Sequence, residues 1–269
     1  MGPGLRRDDE EGRLSIQGSG VTMARLSVNL NKIALLRNSR RTGVPDVLEF
    51  ARLAYEAGAE GITVHPRPDE RHIRGSDVPA LAELMRPWRP RCELNIEGYP
   101  DERLLAICGA VRPEQCTLVP DGPGVLTSEE GWKLGNQDMP LVIDAVARLK
   151  RLGARVIIFV DPDSGIVDRV PGTGADGIEI YTGSYSAAFR DEDSDAALSA
   201  CAATAMRAAS RGLVVNAGHD LNLDNLPALV AALPNLAEAS IGHELTADAL
   251  KLGWSEAVRA YKAALAGSS

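Results

Sequence analysis

Three of the four histidines in this 269-residue chain, together with one glutamate, stand at the ends of short apolar runs: His65, Glu97, His219 and His243. Imidazoles titrate near neutral pH. A carboxyl at the exit of an apolar strand is partly desolvated, which raises its pKa toward the range where it can move protons. If His65, Glu97 and His219 converge, they form an acid/base set. Taken singly, each has a plainer reading, as a structural histidine or a rim carboxylate bridging to arginine. Asn216-Ala-Gly-His219 and Ile241-Gly-His243 place a glycine before each of two histidines, where a ligand phosphate could approach bare main chain. Either glycine alone would read as an ordinary turn. Arg37, Arg40, Arg67 and Arg71 fall in the loops expected after the first two strands, and a guanidinium fork suits phosphate oxygens, although a solvated loop charge is the default for any one of them.

Bringing these side chains together requires elements that all end on one side. The apolar runs supply them: Leu26–Asn29, Gly61–His65, Cys92–Glu97, Gln115–Pro120, Ala154–Asp161, Gly177–Thr182, Leu213–His219 and Glu238–His243 read as strands. Amphipathic helices fall between them, including one over Val47–Ala54 with Asp46 as its N-cap, one over Val142–Leu152 closed by Gly153, and an Ala-rich one over Ala196–Arg211. Shorter helices are expected around Glu102–Val111, over Leu223–Leu233 and over Ser255–Leu265. Strict alternation predicts parallel pairing with right-handed crossovers. With eight strands, the expected architecture is a single (β/α)8 TIM barrel of the α/β class, whose active site lies at the C-terminal ends of its strands. An open doubly wound sheet is the competing architecture, but no G-x-G-x-x-G turn follows the first strand. The stretch Asp121–Asp138, rich in glycine, is expected to be a lid over the mouth.

At 45% hydrophobic residues and a formal net charge of -8, the chain can bury one full core, and it lacks the basic surface that nucleic acid or an anionic membrane would demand. No run approaches the ~18 apolar residues of a membrane span. The four cysteines show no C-x-x-C spacing and fit small buried hydrophobes in a reducing cytosol. Residues 1–22 have few residues to bury and read as a flexible extension, with Met23 as a candidate start and residues 23–269 as the catalytic domain.

The motifs extend further than these individual readings. Asn29 followed by Arg37-Asn38-x-Arg40, then Gly61-Ile-Thr-Val-His65-x-Arg67-x-Asp69-x-Arg71-His72-Ile73, Asn95-Ile-Glu97, Thr182-Gly-x-Tyr185, Val215-Asn-Ala-Gly-His219 and Ile241-Gly-His243 together resemble the pyridoxine 5'-phosphate synthase family, in the family's order from about residue 25 to 263. The resemblance implies a cytoplasmic homo-octamer of TIM barrels. It implies condensation of 1-deoxyxylulose 5-phosphate with 3-amino-2-oxopropyl phosphate to pyridoxine 5'-phosphate, phosphate and water, with neither metal nor organic cofactor. By matching position, His65, Glu97 and His219 would be the catalytic acids and bases. Asn29, Arg40, Arg67, His72, Thr127, Gly242 and His243 would hold the substrates.

The chain also departs from the family pattern. Asn31-Lys32 stands in place of Asp-His, at positions expected to grip a sugar phosphate, and Asp220 stands in place of a glycine expected to face the ligand. The lid begins Asp121-Gly122-Pro123-Gly124 in place of Glu-Lys-Arg, and Tyr181 replaces a histidine. These changes admit a divergent paralogue that acts on, or only binds, another phosphorylated keto compound. Two further chemistries are open: a metal-dependent aldolase or isomerase with His65, Glu97, His219 and His243 as ligands, and a Schiff-base aldolase, for which only Lys32 sits plausibly at the mouth.

Overall fold

A computed structural model describes residues 23–122 and 130–267. In chain order the elements are β1 (Arg25–Asn29), α1 (Asn31–Asn38), α2 (Val47–Glu56), β2 (Gly61–Val64), α3 (Asp77–Met85), β3 (Glu93–Gly98), α4 (Glu102–Val111), β4 (Gln115–Leu118), α5 (Met139–Arg151), β5 (Arg155–Val160), α6 (Ser164–Val167), β6 (Gly177–Tyr181), α7 (Gly183–Arg190), α8 (Asp195–Ser210), β7 (Val214–Gly218), α9 (Leu226–Ala232), β8 (Leu236–Ile241), α10 (His243–Leu252) and α11 (Trp254–Leu265). All eight strands pair in parallel in sequence order, and the sheet closes where Leu26 of β1 lies opposite Ala239 of β8. The expected TIM barrel is therefore the fold. The eight expected strands appear with ends shifted by one or two residues.

Local signals explain much of the placement. Asp46 caps α2, its carboxylate accepting from the Leu48 amide at 2.9 Å. Gly153 follows α5 at φ +91°, a left-handed position that glycine occupies without strain. Five helices were not among those expected, α1, α3, α6, α7 and α10, and three of them fall where the sequence read as loop or turn. α1 spans the stretch read as loop, because only Ile33, Ala34 and Arg37 of its residues are buried while Leu35 and Leu36 face outward, which leaves little amphipathic periodicity. α7 and α10 start immediately after Thr182 and Gly242, so that segments read as turns are the first residues of helices.

Period-two alternation gives each strand two faces. Outward residues such as Leu26, Val28, Ile62, Leu94, Ile158 and Ile178 are buried under the helices. The inward face is unusual. Where barrels of this class are commonly filled by branched apolar side chains, this one is filled largely by polar ones. At the N-terminal end, Arg25 pairs with Glu93 at 2.8 Å and with Glu238 at 3.4 Å. There Arg155 binds both Glu93 and Gln115, and Gln115 donates to Glu238 at 2.9 Å. One layer up, Ser27 and Thr63 share a hydrogen bond of 2.7 Å, Asn95 donates to Thr63 at 3.3 Å, and Thr117 donates to Asn95 at 3.2 Å. Each of these polar groups is matched to another, which is the condition under which burying them is tolerable.

Bare backbone is needed where strands approach closely. A Cβ on Gly177 would lie 2.5 Å from the Val214 carbonyl oxygen and 2.9 Å from Ile157 Cδ1. Gly177→Ala is expected to cost about 1–3 kcal/mol through this overpacking, read as a lower midpoint in urea denaturation with little change in its slope.

Candidate active site

The strand ends enclose a cavity of about 580 Å³ lined by Asn29, Asn31, Lys32, His65, Arg67, His72, Glu97, Glu179, His219, Asp220, Gly242 and His243, among others. Among the described side chains expected from sequence to serve the site, all but Arg37 and Arg40 line it. Arg40 is exposed beyond the end of α1 and is not among the lining residues. Thr127 lies outside the described residues, as do the rest of the lid stretch 123–129 and the extension over residues 1–22. Arg37, expected to contribute to the arginine cluster in the loops, instead sits on α1 and is buried. It holds Asp77 at 2.7 Å and the His72 carbonyl at 3.0 Å, so its role is to tie α1 to the segment following β2.

Glu97 is the centre of the site. Asn29 Nδ2 donates to its Oε2 at 3.4 Å, and His65 Nδ1 lies 4.0 Å from the same oxygen. Burial, and then the nearby Asp121 carboxylate, push the Glu97 pKa up to about 7, although Arg67 and the Asn29 hydrogen bond act in the opposite direction. His65 is held well below the usual histidine value, first by burial and then by Arg67, the neighbouring His72, Arg103 and Arg71, so it stays neutral at pH 7. The site thus pairs a neutral imidazole with a carboxyl poised to gain or lose its proton at neutral pH, which is the pairing acid/base chemistry needs. The backbone is fixed beneath them: Asn29 Oδ1 accepts from the Asn31 amide, and Asn31 Oδ1 accepts from the His65 amide, each at 2.9 Å. Asn31, expected as a binding residue, therefore also anchors the β2 exit.

Cationic groups occupy one side. Arg67 is buried and ion-paired with Asp121 at the start of the lid. Lys32 lies in the first turn of α1. His72 accepts from the Ile73 amide at its Nδ1, 2.9 Å away, and burial with the neighbouring Arg67, Arg71 and Lys32 lowers it to about 4.

On the opposite side His219 leaves β7 at φ +88° and Asp220 follows at φ +57°, conformations uncommon outside glycine. Thr182 Oγ1 lies 2.8 and 2.6 Å from the carbonyl oxygens of Gly218 and His219. The edge of the Tyr181 ring meets the His219 ring at 4.9 Å between centroids. Asp220 Oδ2 lies 3.1 Å from His219 Nδ1, and this contact holds the Asp220 carboxyl below its ordinary range.

Glu179 was not singled out by sequence reasoning. It lies in the middle of β6 with its side chain turned into the barrel, 3.5 Å from Thr117 Oγ1, and burial together with Glu97 and Glu238 raises its pKa well above the ordinary value, leaving it protonated. The signal was present as a charged residue between Ile178 and Ile180. Glu179 also explains Gly218: a Cβ there would collide with Glu179 Oε1, so the bare backbone accommodates this carboxyl. Gly242 is constrained in the same way, since its Cβ would meet Asn29 Cβ at 3.0 Å. Among the described residues, no group of three or more His, Cys, Asp or Glu side chains is placed to hold a metal ion, and no helix is long and apolar enough to cross a membrane.

Residues 26–267 match the family described as pyridoxal phosphate biosynthesis protein PdxJ. The chain is 51% identical over 244 residues to the pyridoxine 5'-phosphate synthase of Allorhizobium ampelinum, covering 90% of this chain and 97% of that one. It is 51% identical over 241 residues to the protein of the same name from Agrobacterium fabrum, covering 88% and 96%. The fold is similar to that of the YdjI aldolase from Escherichia coli K12, with a TM-score of 0.61 at 11% identity and coverage of 91% of this chain and 92% of that one.

The raised pKa of Glu97 has a consequence for stability. A carboxyl that ionises near 7 when folded and near 4.5 when unfolded favours the folded state fully below pH 4.5, and this stabilisation is lost as pH rises through 7. Glu97→Gln removes the ionisation, so the variant is expected to be more stable than the parent at pH 8 by roughly 1–3 kcal/mol, with the difference shrinking toward pH 4.5. Urea denaturation of both proteins across that range measures it, and a pH-independent difference would contradict the assignment.

Proposed function

The chain belongs to the pyridoxal phosphate biosynthesis protein PdxJ family and is a pyridoxine 5'-phosphate synthase, and we propose that Glu97, His65 and His219 carry its proton transfers. The observation that supports this most directly is Glu97, buried beside a neutral His65 with its pKa near 7 and facing the cavity.

The reaction proposed for this site joins the amine of 3-amino-2-oxopropyl phosphate to the ketone of 1-deoxyxylulose 5-phosphate. Imine formation expels water. Loss of one phosphate, ring closure between carbons and a final dehydration give the aromatic ring, and every step moves protons among nitrogen, oxygen and carbon. Glu97 can take a proton from carbon or oxygen on one side of the cavity and return it in a later step, because its two protonation states are similarly populated near neutral pH. His65, held uncharged, supplies a lone pair or an N–H without adding a cation. His219 approaches from the opposite side, so the two faces of a bound intermediate are served by separate groups. Protonated Glu179 at the cavity floor can donate a hydrogen bond to oxygen developing negative charge.

Phosphate recognition falls to Arg67, Lys32, His72 and the main chain at Gly242 and His243. Arg67 offers a planar fork, and a phosphate dianion reaching it would compete with Asp121 for the same guanidinium. Lys32 supplies a point charge where the family has histidine, so the substitution retains a group suited to an anion. The alternative of a changed phosphorylated keto substrate draws on Lys32 and Asp220. Self-association is part of the same reading. α1 packs beside α10, and Leu36, Leu250 and Leu252 on these helices are exposed, a pattern suited to subunit contacts in a cytoplasmic homo-octamer.

Purified protein given both substrates is expected to form pyridoxine 5'-phosphate, and Glu97→Gln to lower kcat by at least about 10²-fold. A wild-type rate in this variant would remove Glu97 from the chemistry. Arg67→Lys is expected to raise KM for the phosphorylated substrates with a smaller effect on kcat, because charge is kept while the fork is lost.

A further inference from the structure

The geometry points to Asp220 as a positioning residue that fixes the tautomer and orientation of the His219 imidazole. This rests on the reading of His219 as an acid/base group. His219 Nδ1 is sealed from solvent and makes no well-aligned hydrogen bond, yet the Asp220 carboxylate oxygen lies 3.1 Å from it. A carboxylate can only accept, so the arrangement favours a proton on Nδ1 and leaves the Nε2 lone pair available to substrate. Contacts of this kind are often oblique without substrate and tighten in the reacting complex.

The backbone is shaped to produce the contact. Two successive left-handed residues, at φ +88° and +57°, turn the chain so that neighbouring side chains face each other, and such strain persists only where the surroundings impose it. Those surroundings are specific. Thr182 Oγ1 binds the His219 carbonyl at 2.6 Å, buried Asn225 donates to the Asp220 carbonyl at 3.2 Å, and the Tyr181 ring edge limits rotation of the imidazole. Asp220 therefore does not present an unpaired anion to substrate phosphate, which is how its sequence position alone reads. Its charge is directed at the histidine.

Solid-state ¹⁵N NMR of histidine-labelled protein, with the His219 signals assigned from a His219→Gln sample, reads the ring tautomer without turnover. The parent is expected to show protonated Nδ1 and bare Nε2. Asp220→Gly suits the left-handed backbone and keeps the fold, and it is expected to move the population toward Nε2–H, as is Asp220→Asn to a smaller extent. In the synthase assay, Asp220→Gly is expected to lower kcat on the order of 10²-fold, less than the roughly 10⁴-fold loss when a triad histidine is left in the wrong tautomer. KM should stay within about twofold, and Asp220→Glu should recover part of kcat. Protonated Nε2 in the parent, or a variant that raises KM with kcat unchanged, would overturn the proposal and make Asp220 a substrate contact. A tautomer shift in a protein that forms no pyridoxine 5'-phosphate would uphold the positioning role while refuting the reaction assigned to the site.

Discussion

Glu97 can hold a proton near neutral pH only because it is removed from water, and removing a carboxyl from water is tolerable only if its surroundings are polar and rigid. That constraint organises the barrel. The carboxyl rests on layers of hydrogen-bonded side chains running down the interior through Asn95, Thr63 and Thr117 to Arg25, Glu93 and Arg155. An apolar filling would be simpler to pack. It would leave Glu97, Glu179 and Glu238 without compensation, and uncompensated buried charge is among the most costly features a core can contain.

The two halves of the fold accordingly divide their tasks. Stability comes from the outer layer, where apolar faces of the strands meet the helices. The inner layer contributes specificity, holding each polar group in one arrangement. Its members come from distant parts of the chain; the contact between Gln115 and Glu238 joins residues 123 positions apart. The mouth then inherits a fixed floor on which Glu97 and Glu179 stand, while the walls are built from residues just beyond the strands.

Those walls differ in charge. Arg67, Arg71 and Lys32 make one side cationic, and Arg67 and Arg71 help to keep both His65 and His72 neutral. One set of charges therefore does two things: it attracts phosphorylated ligands and selects the uncharged form of the imidazoles beside them. Asp121, just beyond β4, pairs with Arg67 on that side.

The sequence alone determined the eight-strand alternation and the single mouth, and it singled out the residues proposed as acids and bases, because these rest on local periodicity and on motifs in a fixed order. Asp46 and Gly153 were legible for the same reason, since a cap depends on its nearest neighbours. α1, α7 and α10 were not, because their buried faces are narrow and packing against the barrel, rather than amphipathic pattern, defines them. Glu179 looked like one residue in an apolar strand until closure turned it inward beside Thr117. Arg37 read as one member of a loop arginine cluster suited to phosphate until Asp77, forty residues away, claimed it. Asp220 looked like an anion opposing a phosphate until the two left-handed residues turned it toward His219. In each case the deciding partner lies across the barrel or depends on the path of the backbone, and only the tertiary structure sets those distances.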